Sequence, residues 1–293
     1  MNLLQFKRKY SKVKQDREQL YILFQEVFQI DPGLLRDFYD CGFWNETYEP
    51  YTYFAGEKAI ANVSMFSMPL LVEGKIIKAA GIQSVMTHPD YRRKGLMKQL
   101  FTKMLETIDE EYDCMLLMTD NPKLYIPFGF RELQQSYFSA RIFHEKKTST
   151  LKKLDFFSRD DLKLIQTLMG ERQPLSRRFW PLAYDSSFYL NMYHSYFNKN
   201  LYYSKELGAI MIFEVNEETC RLYDVIAKEI PALEELVSHI PEQFINIQCY
   251  FCPDQFKSVN WKPEAPTSKA KLMLRGDLSI INQPIKLPIT AEF

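Results

Sequence analysis

The stretch Gly81-Ile82-Gln83-Ser84-Val85-Met86-Thr87-His88-Pro89-Asp90-Tyr91-Arg92-Arg93-Lys94-Gly95-Leu96-Met97 decides how the chain is read. Ile82, Val85 and Thr87 sit among β-favouring neighbours, and Pro89, which has no N–H to give to a ladder, ends the strand near His88. From Leu96 onward Leu100, Phe101, Met104, Leu105 and Ile108 recur at the helical period. Lys98, Lys103 and Glu106 fall on other faces, which predicts a helix over 95–109. The unpaired first N–H groups of that helix and its positive dipole end face the turn. Gly95 lets the backbone come close to a ligand, and Arg92, Arg93 and Lys94 add positive charge. Such a site suits a pyrophosphate. The dinucleotide fingerprint and the phosphate loop put phosphates in the same place, but both need glycines that this turn lacks.

About thirty residues on comes Asp120-Asn121-Pro122-Lys123-Leu124-Tyr125-Ile126-Pro127-Phe128-Gly129-Phe130. The two segments together resemble the GCN5-related N-acetyltransferases (GNAT), whose acetyl-CoA signature is Arg/Gln-x-x-Gly-x-Gly/Ala after a strand. Arg92-Arg93-Lys94-Gly95-Leu96-Met97 takes that place, with Met97 where the family prefers a small residue. The segment from Asp120 to Phe130 is similar to the family's strand, short helix, tyrosine and Gly-Phe ending. The likeness is strongest over residues 50–142. It is nearest to the branch of the enhanced-intracellular-survival aminoglycoside acetyltransferases, which share His/Tyr-Arg-Arg-x-Gly-Leu, but without their extra C-terminal domain.

A chain of 293 residues suits two domains, each with its own core. Lys+Arg and Asp+Glu both number 37, so no global field favours nucleic acid or an anionic membrane. Lys7, Arg8 and Lys9 interrupt the apolar start as a secretion signal would not, and no apolar run is long enough to cross a bilayer, so a soluble cytoplasmic protein is expected. Five scattered cysteines argue against a disulfide framework. Cys249-Tyr-Phe-Cys252 has metal or redox spacing but no second pair, and the surrounding 245–251 reads as a buried strand. No metal site is expected.

Taken in order, residues 3–10 read as a strand, 15–30 as a helix, and Asp31-Pro32 as the start of a second helix. Strands follow at 51–55, 60–72 and 76–88, an antiparallel meander with turns at Gly56 and Gly74. Residues 114–119 form an unbroken apolar run, as a buried parallel strand requires, and 131–142 supply a last strand or pair. The polar, basic stretch within 143–154 reads as a linker. Beyond it, 201–204, 208–214 and 220–226 form another meander, with a helix at 230–239 and a strand at 245–251. Pro253, Phe256, Asn260 and Trp261 repeat the offsets of Pro122, Tyr125, Gly129 and Phe130, which points to an internal duplication. The expected architecture is α/β (α+β): tandem GNAT-like folds, each a mixed, mostly antiparallel sheet flanked by helices, the second degenerate. The division is 1–146 for the acetyltransferase domain and 147–293 for the degenerate domain and C-terminal tail. The second copy has Phe256 for Tyr125 and no glycine turn in Ala227-Lys228-Glu229-Ile230-Pro231.

The resemblance implies acetyl-CoA as co-substrate. Coenzyme A is then expected along Val85, Met86 and Thr87 and along Arg92, Arg93, Lys94, Gly95, Leu96 and Met97, with Asn121 near the thiol end. It makes Tyr125 the general acid. Many relatives carry a base on the strand where this chain has Gln83 and Ser84, which cannot serve; the aminoglycoside branch uses a terminal phenylalanine carboxylate, here Phe293. Glu292, or water with no dedicated base, stays open. Among the aromatics Phe38, Tyr39, Phe43, Trp44, Tyr48, Tyr51 and Tyr53, one or two are expected to line an amine pocket. The expected function is N-acetylation of a small-molecule amine by direct transfer in a ternary complex. A non-catalytic acyl-CoA or partner-binding module, and a protein or peptide acetyltransferase, are the alternatives.

Overall fold

In the computed structural model, residues 4–148, 150–266, 268–279 and 281–293 are described. Leu3 of the expected first strand and Ser149 of the expected linker lie outside them. Strand β1 (Leu4–Arg8) leads to α1 (Lys14–Phe28), which turns Leu20, Leu23 and Phe24 inward, and to α2 (Pro32–Asp40). Pro32 occupies the first turn of α2, and the Asp31 carboxylate accepts from the Gly33 amide at 3.0 Å, satisfying one free helix donor. Strands β2 (Glu49–Ala55) and β3 (Lys58–Ser67) follow as a hairpin.

The continuous strands expected at 60–72 and 76–88 are both broken. A small hairpin, β4 (Leu70–Val72) and β5 (Lys75–Ile77), leaves the sheet before β6 (Ala79–Thr87) resumes it. The apolar run continues through the break because β4 is buried by pairing with a strand of the other half, whereas β5 is exposed, Ile76 at 72%. Helix α3 (Leu96–Ile108) and β7 (Cys114–Thr119) match the expectation, and the Pro122–Phe128 region forms two 3₁₀ turns, Pro122–Leu124 and Ile126–Phe128.

The expected last strand at 131–142 divides into β8 (Arg131–Glu132) and β9 (Tyr137–His144), which join different sheets. The linker is correspondingly short: His144 still pairs with Phe244, and β10 (Lys152–Lys153) lies within the stretch. Beyond it come α4 (Arg159–Glu171), β11 (Phe179–Pro181), α5 (Asp185–Met192) and α6 (Ser195–Asn198). Then follow β12 (Leu201–Ser204), β13 (Ala209–Asn216), β14 (Thr219–Ala227), α7 (Leu233–Ser238), β15 (Phe244–Cys249), β16 (Lys262–Glu264) and β17 (Lys271–Gly276).

The two large sheets have the orders β1-β2-β3-β6-β7-β17-β8 and β10-β12-β13-β14-β15-β9-β16. Place by place they are the same sheet. In each, the fourth and fifth strands are parallel, and the sixth place is taken by an antiparallel strand from the other half. The duplication is thus present with reciprocal exchange of one strand. Leu272, Met273 and Leu274 of β17 are each about 1% exposed in a sheet whose other strands lie far back in the chain. Burying three such side chains stabilises the union of the halves by several kcal/mol, at roughly 1.5–3 kcal/mol each. A third contact pairs β11 with β4, setting Trp180 opposite Leu71. One apolar core therefore runs from Phe38 and Phe66 through Trp180 and Phe188 to Phe251.

Candidate active site

The site begins with an irregularity in β6. This strand pairs in parallel with β7 only from Ala79 to Ile82, and its register with β3 slips so that Ser84 and Val85 together oppose Val63. Ser84 sits at φ +55°, an uncommon left-handed conformation for a residue with a side chain. A buried polar chain holds it there. The Asn62 side-chain amide donates to the Ser84 carbonyl and to Ser64 Oγ, both at 2.8 Å, and accepts from Thr52 at 2.6 Å; Ser64 Oγ donates to the Tyr48 hydroxyl at 2.7 Å. Thr52, Asn62 and Ser64 are fully buried, so breaking one bond would leave a polar atom unsatisfied. The bulge turns β6 away from β7, and residues 85–87 are left without a strand partner on that side.

The opening leads to a cleft of about 490 Å³. Val85, Met86 and Thr87 form one wall, and Arg92, Arg93, Gly95, Leu96 and Met97 form its end. Gly95 is the residue before α3, at φ +75°, and a methyl group built on it would meet nothing nearer than Gln99 at 4.0 Å. The space at the helix N-terminus is open, and no side chain caps it. Arg93 is also left-handed, at φ +62°, and the Arg92 Nε donates to the Thr87 carbonyl at 3.2 Å, tying the turn to the strand end. His88 helps from below: it is buried, and its Nδ1 accepts from the Asp90 amide at 3.3 Å.

Eight of the ten expected cofactor residues thus line one cleft. Lys94 and Asn121 are off its wall: the Lys94 ammonium donates to the Asp90 carbonyl at 3.0 Å and lies over the Tyr91 ring, and the Asn121 amide donates to Thr119 Oγ1 at 3.0 Å. The cleft also takes in Val27, Lys98 and Leu124, which sequence reasoning passed over. Lys98 carried a signal. It falls in the first turn of α3, where a cation adds to the field at the helix start.

Tyr125 lies in the same cleft, 6% exposed, with Phe101 and Phe130 against its ring. Burial pushes its hydroxyl up to about 12, only partly offset by a hydrogen bond with Thr119. At neutral pH it is a neutral phenol that can give a proton.

Across the Ser84 bulge is a second, narrow cavity of about 70 Å³. Phe38, Trp44 and Tyr48 from the flagged aromatic group line it, together with Phe24 of α1, Phe66 of β3, and Ser187 and Leu190 of α5. Tyr39 and Phe43 are engaged elsewhere, under Arg17 and against Tyr189, and Tyr51 belongs to the core beneath α3. Leu190 and Ser187 had no sequence signal, since they come from the opposite half.

The C-terminal segment is packed rather than frayed. Leu287, Thr290 and Ala291 are buried, and the Asn191 side chain donates to the carbonyls of Thr290 and Glu292 at 3.2 and 2.9 Å. Phe293 ends edge-on to Phe66, with ring centroids 5.1 Å apart, over Gly81 of β6. Cys252 belongs to this packing: buried, with its thiol pushed up to about 12, it accepts from the Lys286 amide at 3.1 Å. Among the described residues, no group of three or more His, Cys, Asp or Glu could hold a metal ion, and no helix is long and apolar enough to cross a membrane.

Residues 9–133 match the family described as an acetyltransferase (GNAT) domain. Among solved structures, a protein from Enterococcus faecalis described as a probable N-acyltransferase of unknown function superposes with a TM-score of 0.59 at 16% identity, over 93% of this chain and 72% of that one. Eis1 from Mycobacterium abscessus gives 0.57 at 12% identity, over 93% and 73%. A GCN5-related N-acetyltransferase from Kribbella flavida gives 0.55 at 13% identity, over 93% and 70%. At such identities the likeness is one of fold, and it spans both halves. No curated protein matches the chain.

Proposed function

We propose, from the match of residues 9–133 to a GNAT acetyltransferase domain, that the protein transfers the acetyl group of acetyl-CoA to the amine of a small molecule, directly and within a ternary complex. One observation carries the reading. The gap between β6 and β7 opens straight onto an uncapped, cation-flanked helix N-terminus, and Tyr125 stands in the same cleft.

Each group has a part to play. The backbone of Val85, Met86 and Thr87 lines the acyl and pantetheine portion and offers N–H groups to the thioester carbonyl, where charge develops. The first turn of α3, with Arg92, Arg93 and Lys98, takes the diphosphate; Lys94 and Asn121 remain candidates for the outer parts of the cofactor. The amine nitrogen forms a bond to the carbonyl carbon, the carbon–sulfur bond breaks, and Tyr125 gives its proton to the departing thiolate. The amine must lose a proton in turn. Where Phe293 is the terminal residue, its carboxylate is the group we assign to that step. Glu292 is a poorer candidate because Lys286 holds it at 2.7 Å, so water is the remaining alternative.

Calorimetry with acetyl-CoA tests the site. Gly95→Asp puts bulk, a left-handed strain and a negative charge where the diphosphate is expected, and binding should weaken by at least about a hundredfold. Equal affinity for the wild type and a folded variant would remove the assignment.

A further inference from the structure

The cavity beyond the Ser84 bulge has a chemistry of its own. Its surface is mostly apolar, with Phe24, Leu35, Phe38, Trp44, Phe66 and Leu190 in the lining, and its polar atoms come from neutral groups such as Ser84, Gln83 and Ser187. None of the described residues lining it is acidic. Two carboxylates of the adjoining α2 segment are taken elsewhere, Asp31 by the Gly33 amide and Asp37 by the Tyr193 hydroxyl. The Tyr48 phenol, pushed up to about 12 by burial, is neutral.

We propose that the acceptor is a monoamine bearing one compact apolar or aromatic group, held between α1, α2 and α5, and not a polyamine or an amino-sugar polycation. The proposal rests on the acetyltransferase reading above and names the substrate class for the same site. Only the amine that reacts has a carboxylate assigned to it, that of Phe293; each further ammonium of a polycation brought into this cavity would lose water and find no carboxylate among the described lining residues. A hydrocarbon or aryl group instead gains by leaving water and packs ring against ring. Its single amine faces Ser84 and the open end of β6, and it must give up its proton before it reacts.

The test uses the full chain with acetyl-CoA, following release of CoA with phenethylamine and isoamylamine against spermidine and glucosamine. We expect kcat/KM for phenethylamine to exceed that for spermidine by at least about tenfold. Leu190→Glu installs a carboxylate at the cavity rim; Leu190 is 37% exposed, so the variant should fold. It should raise KM for phenethylamine about tenfold, lower KM for spermidine, and leave the acetyl-CoA dissociation constant unchanged. The proposal is overturned if the wild type prefers spermidine or glucosamine, if Leu190→Glu moves neither KM, or if acetyl-CoA binds but no apolar monoamine is turned over. Absence of acetyl-CoA binding by calorimetry would instead overturn the acetyltransferase reading beneath it.

Discussion

The two halves share a plan and part company at the mouth of the same gap. In each sheet the fourth strand runs parallel to the fifth for four residue pairs and then leaves it, β6 after Ile82 and β14 after Leu222. Both strands carry an irregularity at that place, Ser84–Val85 in one and Tyr223 in the other. In the first half the gap opens on Gly95 and a helix start without acidic residues. In the second, α7 has only six residues, with Glu234 and Glu235 in its first turn, charges that oppose an anion. The second gap is also filled. Thr290 donates to Asp224 at 2.5 Å, and the Ile289 amide donates to the Tyr250 carbonyl at 3.3 Å, so the chain's own C-terminal segment occupies it on the way to Phe66. The splay is thus a property of the strand pairing, and a few residues at its edge decide what enters.

The largest expected effect contrasts the two aromatic positions. Tyr125→Phe should lower kcat by roughly 10²–10³-fold while changing the acetyl-CoA dissociation constant less than about twofold. Phe256→Tyr should add no activity, because its half lacks the glycine turn. Full kcat in Tyr125→Phe would erase the distinction between the halves. Since burial holds the Tyr125 hydroxyl near 12, turnover should show no alkaline loss from this group below about pH 10.

Next in size is Asp224 in the filled gap. Burial raises its carboxyl from 3.8 to about 6, although Thr290 and Tyr184 donate to it. A carboxyl that holds its proton more tightly folded than unfolded contributes stability that is fully present below about pH 4 and lost as pH rises through 6. Asp224→Asn should remove that dependence. Between pH 4 and pH 7.5 the wild type should lose roughly 2–3 kcal/mol relative to the variant, read as a relative Tm shift of about 5 °C. Parallel Tm curves for the two proteins would contradict the raised value.

The smallest effect concerns the clasp on the tail. Asn191→Ala leaves the Thr290 and Glu292 carbonyls without that donor, which should cost about 1–2 kcal/mol. Hydrogen exchange should speed up over residues 285–293 and stay unchanged in α3. Unchanged exchange in the tail would mean that Asp224 and Lys286 hold it without help.

Much of the first half was legible because its signals are local. Pro89 ends a strand, Gly95 supplies a left-handed turn, and the apolar spacing after Leu96 draws α3 to within a residue of its ends. The duplication was legible in four offsets and in the repeated meander. The pattern failed where an apolar run meets a distant partner. Residues 60–72 are apolar for most of their length, and 131–142 carry apolar residues on both sides of Gln134-Gln135-Ser136, but neither pattern says which sheet a segment joins. In α4, the spacing of Leu162, Ile165, Leu168 and Met169 would have disclosed a helix, whereas in α5 Phe188, Tyr189 and Met192 are all buried and leave little contrast between faces.

By itself, then, the sequence determines the chemistry carried by neighbours in the chain: a cationic glycine turn at a helix start, a tyrosine after a buried strand, and a second copy that lacks both. Only the tertiary structure decides that β9 and β17 change places, that Leu190 and Ser187 close a cavity built by α1 and α2, and that Phe293 comes to rest on Phe66. The physical reason is range. Dihedral preference and helix dipoles act over a turn or two, whereas the choice of sheet partner and cavity wall depends on which apolar surfaces, separated by a hundred residues or more, bury each other best.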